Sequence, residues 1–279
     1  MDGAGGVPSR IKVGLHGVPR SGTSWLGQIV NSSPAVVFKY QPLFSYRFKG
    51  VLDPRSSRRD IDTFFNEIAA ARDDFLDQKE RIHSGIYPRF EKSDRPTHVV
   101  YKEVRYHHLL PHLLTTHDQI KIVGIIRNPL AVINSWLRAP REFRRDLGWQ
   151  ARAEWRHAPS KNCGRVEEFY GYEKWKEVAR LFAELADVFP GRFHTVAYAD
   201  LLKRPLDQVR ALFDFCELPL EGQTLDFLRD SRAEHQDHPY SVYKRRETDN
   251  AWRQQLDPHI ASQIISDLVD AGLEHHLLE

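Results

Sequence analysis

Gly17-Val18-Pro19-Arg20-Ser21-Gly22-Thr23-Ser24-Trp25 follows an alternating apolar run, Ile11-Lys12-Val13-Gly14-Leu15-His16. It precedes apolar residues at helical spacing: Trp25, Leu26, Ile29 and Val30. The pattern predicts a strand, a tight loop and a helix. The first turn of a helix offers unpaired N–H groups and a partial positive charge, and glycines let an anion approach the backbone. The spacing from Gly17 to Gly22 matches a P-loop, but a nucleoside triphosphatase places Lys at the next position and this chain has Thr23. The cation sits inside the loop, at Arg20. The loop suits a phosphate-like anion and argues against Mg-ATP.

The rest of the chain frames that loop. Its 279 residues and 41% apolar content support a sizeable core. Basic and acidic residues nearly balance, 40 against 38, which argues against a dedicated nucleic-acid-binding protein while leaving room for a local basic site. The two cysteines, Cys163 and Cys216, form neither a disulfide framework nor a metal knuckle. No apolar stretch reaches membrane-spanning length, and residues 1–10 lack a signal-peptide core. A cytoplasmic protein without stable membrane insertion is expected. A catalytic domain excised from a membrane-anchored enzyme is the alternative.

Strand patterns at Ile11–His16, 35–38, 98–102, Ile120–Ile126 and 192–197 alternate with helical ones. This predicts an α/β fold in three layers, a central parallel sheet flanked by helices. Residues 120–126 are almost continuously apolar, as in a strand buried on both faces. Helices are expected to open at Pro129, Pro205 and Pro258, each suited to a first helical turn. Others are expected at 61–79 and 170–189. One domain spans 1–279, with helical insertions near 47–95 and 138–170.

Arg127-Asn128-Pro129 forms a second anchor. Asn128 caps the following helix, and Arg127 falls at the carboxyl end of a central strand, where ligands bind in open α/β sheets. Ser135 lies about two turns along that helix. A guanidinium with a hydroxyl suits a second phosphate. A solvated arginine at an ordinary strand-to-helix turn is the competing reading.

The two anchors together resemble the sulfotransferase family. Pro19 to Trp25 looks like its 5′-phosphosulfate loop, and Arg127 to Ser135 like its 3′-phosphate element. Tyr198-Ala199-Asp200-Leu201 resembles the segment whose Tyr lies near the adenine. Ser241-Val242-Tyr243-Lys244-Arg245 and Trp252-Arg253 resemble the loop covering the donor. Asn31-Ser32-Ser33-Pro34 and Tyr40-Gln41-Pro42-Leu43 look closer to the carbohydrate and bacterial branches. The resemblance implies a P-loop-like fold without a metal. It implies transfer of a sulfuryl group from 3′-phosphoadenosine 5′-phosphosulfate (PAPS) to a hydroxyl or amine of an acceptor such as a carbohydrate, leaving 3′,5′-ADP (PAP).

On that resemblance Arg20 stabilises the leaving phosphosulfate, and the backbone N–H groups of Ser21, Gly22, Thr23 and Ser24 hold the 5′-phosphate. Arg127 and Ser135 hold the 3′-phosphate, and Lys244 and Arg245 close over it. Trp25 reads as an adenine partner or as a core residue opening a helix. The proton acceptor departs from the family. Carbohydrate-branch relatives often carry Glu where this chain has Gln41, which can orient an acceptor but not take its proton. Cytosolic relatives place a base His just after a Lys. That Lys aligns with Lys102, and the His position holds Val104. Glu103 is the first candidate base, with an ion pair to Arg105 or Lys102 as its alternative. Lys102 is a charge stabiliser, and His107 the second candidate base. The arginine-rich segment 138–165 reads as an anionic-acceptor groove or as a solvated helical face that Glu142, Asp146 and Glu154 partly neutralise. The acceptor is a small molecule or glycan, and the oligomeric state is open. A P-loop kinase or triphosphatase, and a nucleotide- or glycan-binding relative without catalysis, remain the competing functions.

Overall fold

Five strands, β1 (Ile11–His16), β2 (Val36–Tyr40), β3 (His98–Glu103), β4 (Ile120–Ile126) and β5 (Phe193–Ala197), all pair in parallel. Their order across the sheet is β2-β3-β1-β4-β5. The computed structural model describes residues 10–245 and 248–277, so all but the last residue of the polar N-terminal stretch lies outside the described residues.

Strand side chains alternate between faces, and this sorts the core into two layers. Val99, Tyr101, Ile120 and Ile122 pack on one side, with helices Arg58–Ala70, Pro129–Leu137, Tyr172–Val188 and Pro258–Asp270. Val13, Leu15, Val100, Val123 and Ile125 pack on the other, with α1 (Thr23–Asn31) and helices Pro205–Cys216 and Gly222–Ala233. The expected three-layer α/β fold is the one observed. The proline-opened helices start where anticipated. The side chain of Asn128 accepts from the Leu130 N–H at 2.9 Å, and that of Asp257 from the His259 N–H at 2.9 Å.

The helix expected over 61–79 differs. It starts earlier, at Arg58, because Ser57 and Asp60 form a reciprocal capping box. It stops at Ala70. Beyond it, Asp73 Oδ1 accepts from the N–H groups of Phe75 and Leu76, the local bonding by which Asp competes with a helix. Lys39 also draws the Ala71 carbonyl to its ammonium at 2.7 Å, and the separate helix Lys79–His83 follows. Among the described residues no helix is long and apolar enough to cross a membrane.

β1 lies next to β4, and the chain leaves β1 toward the β2 edge of the sheet but leaves β4 toward the β5 edge. Such a reversal opens a crevice at the carboxyl ends of the strands. The segments leaving all five strands line one crevice there, through Pro19, Gln41, Val104, Arg127 and Tyr198.

Candidate active site

The loop after β1 is built to present backbone. Gly22 adopts φ 95°, and a Cβ there would stand 2.5 Å from the Tyr198 ring. Glycine is therefore required both for the left-handed backbone and for the aromatic packed on it. The first i→i−4 bond of α1 runs from the Leu26 N–H to the Gly22 carbonyl at 3.1 Å. The N–H groups of Thr23, Ser24 and Trp25 thus have no carbonyl within the helix and point to the loop. Ser21 departs from expectation. Its N–H and its hydroxyl both donate to the Val18 carbonyl, at 3.2 and 2.5 Å, and it does not line the crevice. It closes the loop rather than facing a ligand.

The two anchors, more than a hundred residues apart in sequence, meet. Arg127 Nη1 donates to the Arg20 carbonyl at 2.7 Å, and Arg20 Nε donates to Ser135 Oγ at 3.0 Å. The buried Arg127 guanidinium also stacks 4.7 Å from the Tyr198 ring. Asp249 pairs with it, accepting from Nε at 2.7 Å and also from Nη2. Trp25 sits edge-on to Tyr198 and donates its indole N–H to Ser231 Oγ at 3.0 Å. Lys244 lines the same crevice, its ammonium donating to the Gln236 carbonyl at 2.7 Å. Arg245 is exposed and does not line it. The crevice measures about 400 Å³.

Its far wall combines cations with aromatic rings. Gln41 lines it in a left-handed conformation, φ 43°, and its Oε1 accepts from Arg105 Nη1 at 2.9 Å. Arg105 Nε in turn donates to Glu168 at 2.9 Å, and its guanidinium lies 4.0 Å from the Phe44 ring centre. Arg81 stacks between Tyr40, Tyr87 and Tyr240. Lys102, 2% exposed, stands 4.6 Å over the Tyr40 ring, and burial lowers its ammonium to about 8. From the arginine-rich segment, Arg141, Lys161 and Glu142 reach the crevice. Arg144, Arg152 and Arg156 instead pair with Asp146, Asp257, and Glu173 and Asp267. The segment is thus divided between crevice-lining side chains and surface ion pairs.

Glu103 and His107 are not in the crevice. Both are completely buried on the other side of β3. Strand alternation sends Lys102 and Val104 into the crevice and Glu103 behind the sheet. Glu103 Oε1 accepts from the Leu43 N–H at 2.8 Å, Oε2 has no partner, and burial pushes its carboxyl up to about 8. His107 Nδ1 faces His16 Nδ1 at 3.2 Å, and His16 Nε2 meets the Tyr101 hydroxyl at 3.0 Å. Burial holds both rings neutral, His107 well below its ordinary value and His16 at about 3. Both residues expected as bases thus stand outside the crevice, buried among core contacts.

This sets a stability prediction. A carboxyl raised from 4.5 to about 8 stabilises the fold below its unfolded value, and that stability is lost as pH rises through about 8. Glu103→Gln keeps the acceptor for Leu43 without the titration. Its stability relative to wild type is expected to improve by on the order of a few kcal/mol between about pH 5 and pH 8.5. Thermal melts across that range check it; a constant offset would refute it.

Residues 13–222 match the model of the sulfotransferase family. This chain belongs to that family. A stretch of 138 residues is 33% identical to carbohydrate sulfotransferase 6 of Homo sapiens, covering 46% of this chain and 33% of that protein. Another comparison gives 32% identity over 140 residues with human carbohydrate sulfotransferase 5, covering 46% and 32%. The chain therefore spans about a third of the length of the curated relatives it matches. The fold is similar to mouse sulfotransferase SULT7A1 complexed with PAP, with a TM-score of 0.52, 12% identity, and coverage of 92% of this chain and 82% of that one. It is also similar to retinol dehydratase in complex with androsterone and inactive cofactor PAP, at TM-score 0.53, 15% identity, and coverage of 95% and 81%.

Sequence reasoning missed Arg81, Arg105, Tyr240 and Asp249 at this candidate site of the sulfotransferase-family chain. None belongs to a short motif; the tertiary fold alone brings Arg81, Arg105 and Tyr240 to the crevice and Asp249 to the Arg127 guanidinium. The displacement of Glu103, in contrast, was readable from the two-residue period of β3.

Proposed function

We propose that the protein transfers a sulfuryl group from PAPS to a hydroxyl of a carbohydrate, releasing PAP. The junction of the two anchors carries this reading. A donor with phosphates at both ends needs two cationic sites, and Arg20 and Arg127 adjoin through a 2.7 Å hydrogen bond. The residues present fit the donor. The first-turn N–H groups of α1 and Arg20 suit the 5′ end, Arg127 and Ser135 the 3′-phosphate, and Trp25 and Tyr198 the base. Thr23 in place of a P-loop lysine counts against a triphosphate.

The donor supplies an activated sulfuryl group on a stable leaving phosphate. The protein positions the reactants and stabilises charge. Arg20 meets charge developing on the departing oxygen, and Lys102 meets charge on the transferring group. Gln41, held by Arg105, orients the acceptor. The aromatic and cationic far wall, together with the names of the carbohydrate sulfotransferase relatives, supports a sugar that stacks on rings. Glu103, being outside the crevice, is dispensable for turnover.

Thermal melts with PAP and with Mg-ATP test the donor site. PAP at about a hundredfold above its Kd is expected to stabilise by about 2.7 kcal/mol. Greater stabilisation by Mg-ATP would overturn the reading in favour of a phosphotransferase. Transfer of radiolabelled sulfate from PAPS to a panel of p-nitrophenyl glycosides tests the reaction. PAP binding without transfer to any sugar would leave a nucleotide-binding relative without this activity.

A further inference from the structure

We propose that Glu142 takes the proton from the acceptor hydroxyl. The proposal rests on the sulfuryl-transfer reading above. Among the described residues lining the crevice, Glu142 is the one carboxylate, and no histidine lines it. Its Oε1 lies 3.4 Å from Arg20 Nη1, while Oε2 is buried without a hydrogen-bond partner. A buried acceptor left unpaired costs stability, and such an exception calls for an explanation. A hydroxyl donor entering the crevice supplies one.

The loop holding Glu142 is firmly placed. Its N–H donates to the Ala139 carbonyl at 2.9 Å, and the next residue, Phe143, is buried against Trp136. The charged and titratable groups facing Glu142 are Arg20 from the β1 loop, Lys102 from β3, Lys161, and the phenols of Tyr170 and Tyr240. Burial raises both phenols, so neither is a base near neutrality. Glu142 Oε2 accepts the hydroxyl proton as the acceptor oxygen bonds to sulfur. Arg20 stabilises the electron pair left on the phosphate oxygen when the bond from that oxygen to sulfur breaks. Ion pairing to Arg20 thus places the base beside the group that serves the leaving oxygen.

Glu142→Gln keeps shape and removes basicity. It is expected to slow label transfer from PAPS about 10²–10⁴-fold and to abolish the acid-side fall of the wild-type rate. PAP affinity, measured by calorimetry on the same variant, is expected to hold or tighten, because Arg20 loses a competing carboxylate. Turnover within about tenfold of wild type would overturn the proposal. So would a slower variant with the wild-type pH profile, since Glu142 would then only position Arg20. A wild-type rate that climbs through pH 8 would assign the proton to Lys102. A wild type that neither binds PAP nor transfers label would remove the sulfuryl-transfer reading itself. Normal wild-type turnover with an unaffected variant would remove Glu142 alone.

Discussion

Arg127→Ala is expected to destabilise the protein by about 3–5 kcal/mol and to abolish measurable PAP binding. Two separate losses produce this. Arg127 and Asp249 form a buried bidentate pair, each side chain 9% exposed. Removing the guanidinium leaves an uncompensated carboxylate away from water, the costly way to break such a pair. Arg127 also fixes the β1 loop through the Arg20 carbonyl and is the proposed ligand of the 3′-phosphate. The double variant Arg127→Ala/Asp249→Ala separates the two roles. It is expected to recover most of the stability, because no charge is stranded, while PAP binding stays lost. Melts and calorimetry read the two quantities independently. PAP binding at wild-type strength in the double variant would remove Arg127 from the donor site.

Lys102→Met is expected to lower turnover about 10²–10³-fold, the scale for deleting a preorganised charge stabiliser, while the fold becomes more stable at neutral pH. Lys102 stands in the crevice over Tyr40, and burial lowers its ammonium from 10.5 to about 8. Below that value the lysine is charged in both folded and unfolded chains, and the folded chain bears the desolvation cost. Between about 8 and 10.5 the unfolded chain binds the extra proton, so wild-type stability rises with pH over that window. Methionine removes the cost, so its advantage is largest near pH 7 and fades toward pH 10. Activity runs the other way. The stabilising charge is present below about 8 and lost above it, so the wild-type rate falls on the alkaline side. A Met variant with wild-type turnover would show that the ammonium does not serve the reaction.

The strand, loop and helix around Gly17–Trp25, and the second anchor at Arg127, were legible in the sequence. Both depend on local rules: apolar periodicity, the left-handed tolerance of Gly22, and the helix-opening pair Asn128-Pro129. Their order along the chain also carried the family resemblance. The helix boundary at Ala70 was less legible, because Asp73 and the Lys39–Ala71 contact compete with helix propagation. The face of β3 was legible in principle: with a period of two, Lys102 and Glu103 cannot both enter one crevice.

The carboxylate proposed as base was not legible. Glu103 and Glu142 are the same residue type, and each has basic neighbours in sequence. One lies behind the sheet with its carboxyl raised by burial, and the other lies 3.4 Å from Arg20 at the crevice wall. That difference comes from where the loop after helix Pro129–Leu137 is carried, some hundred residues beyond Arg20. The aromatic and cationic far wall has the same origin, since Arg81, Arg105, Lys161 and Tyr240 come from four separate segments. The sequence by itself determined the geometry of the loop proposed to hold the donor, because backbone geometry is written in neighbouring residues. The tertiary structure alone decided the wall proposed to hold the acceptor, because burial and charge there depend on contacts between distant segments.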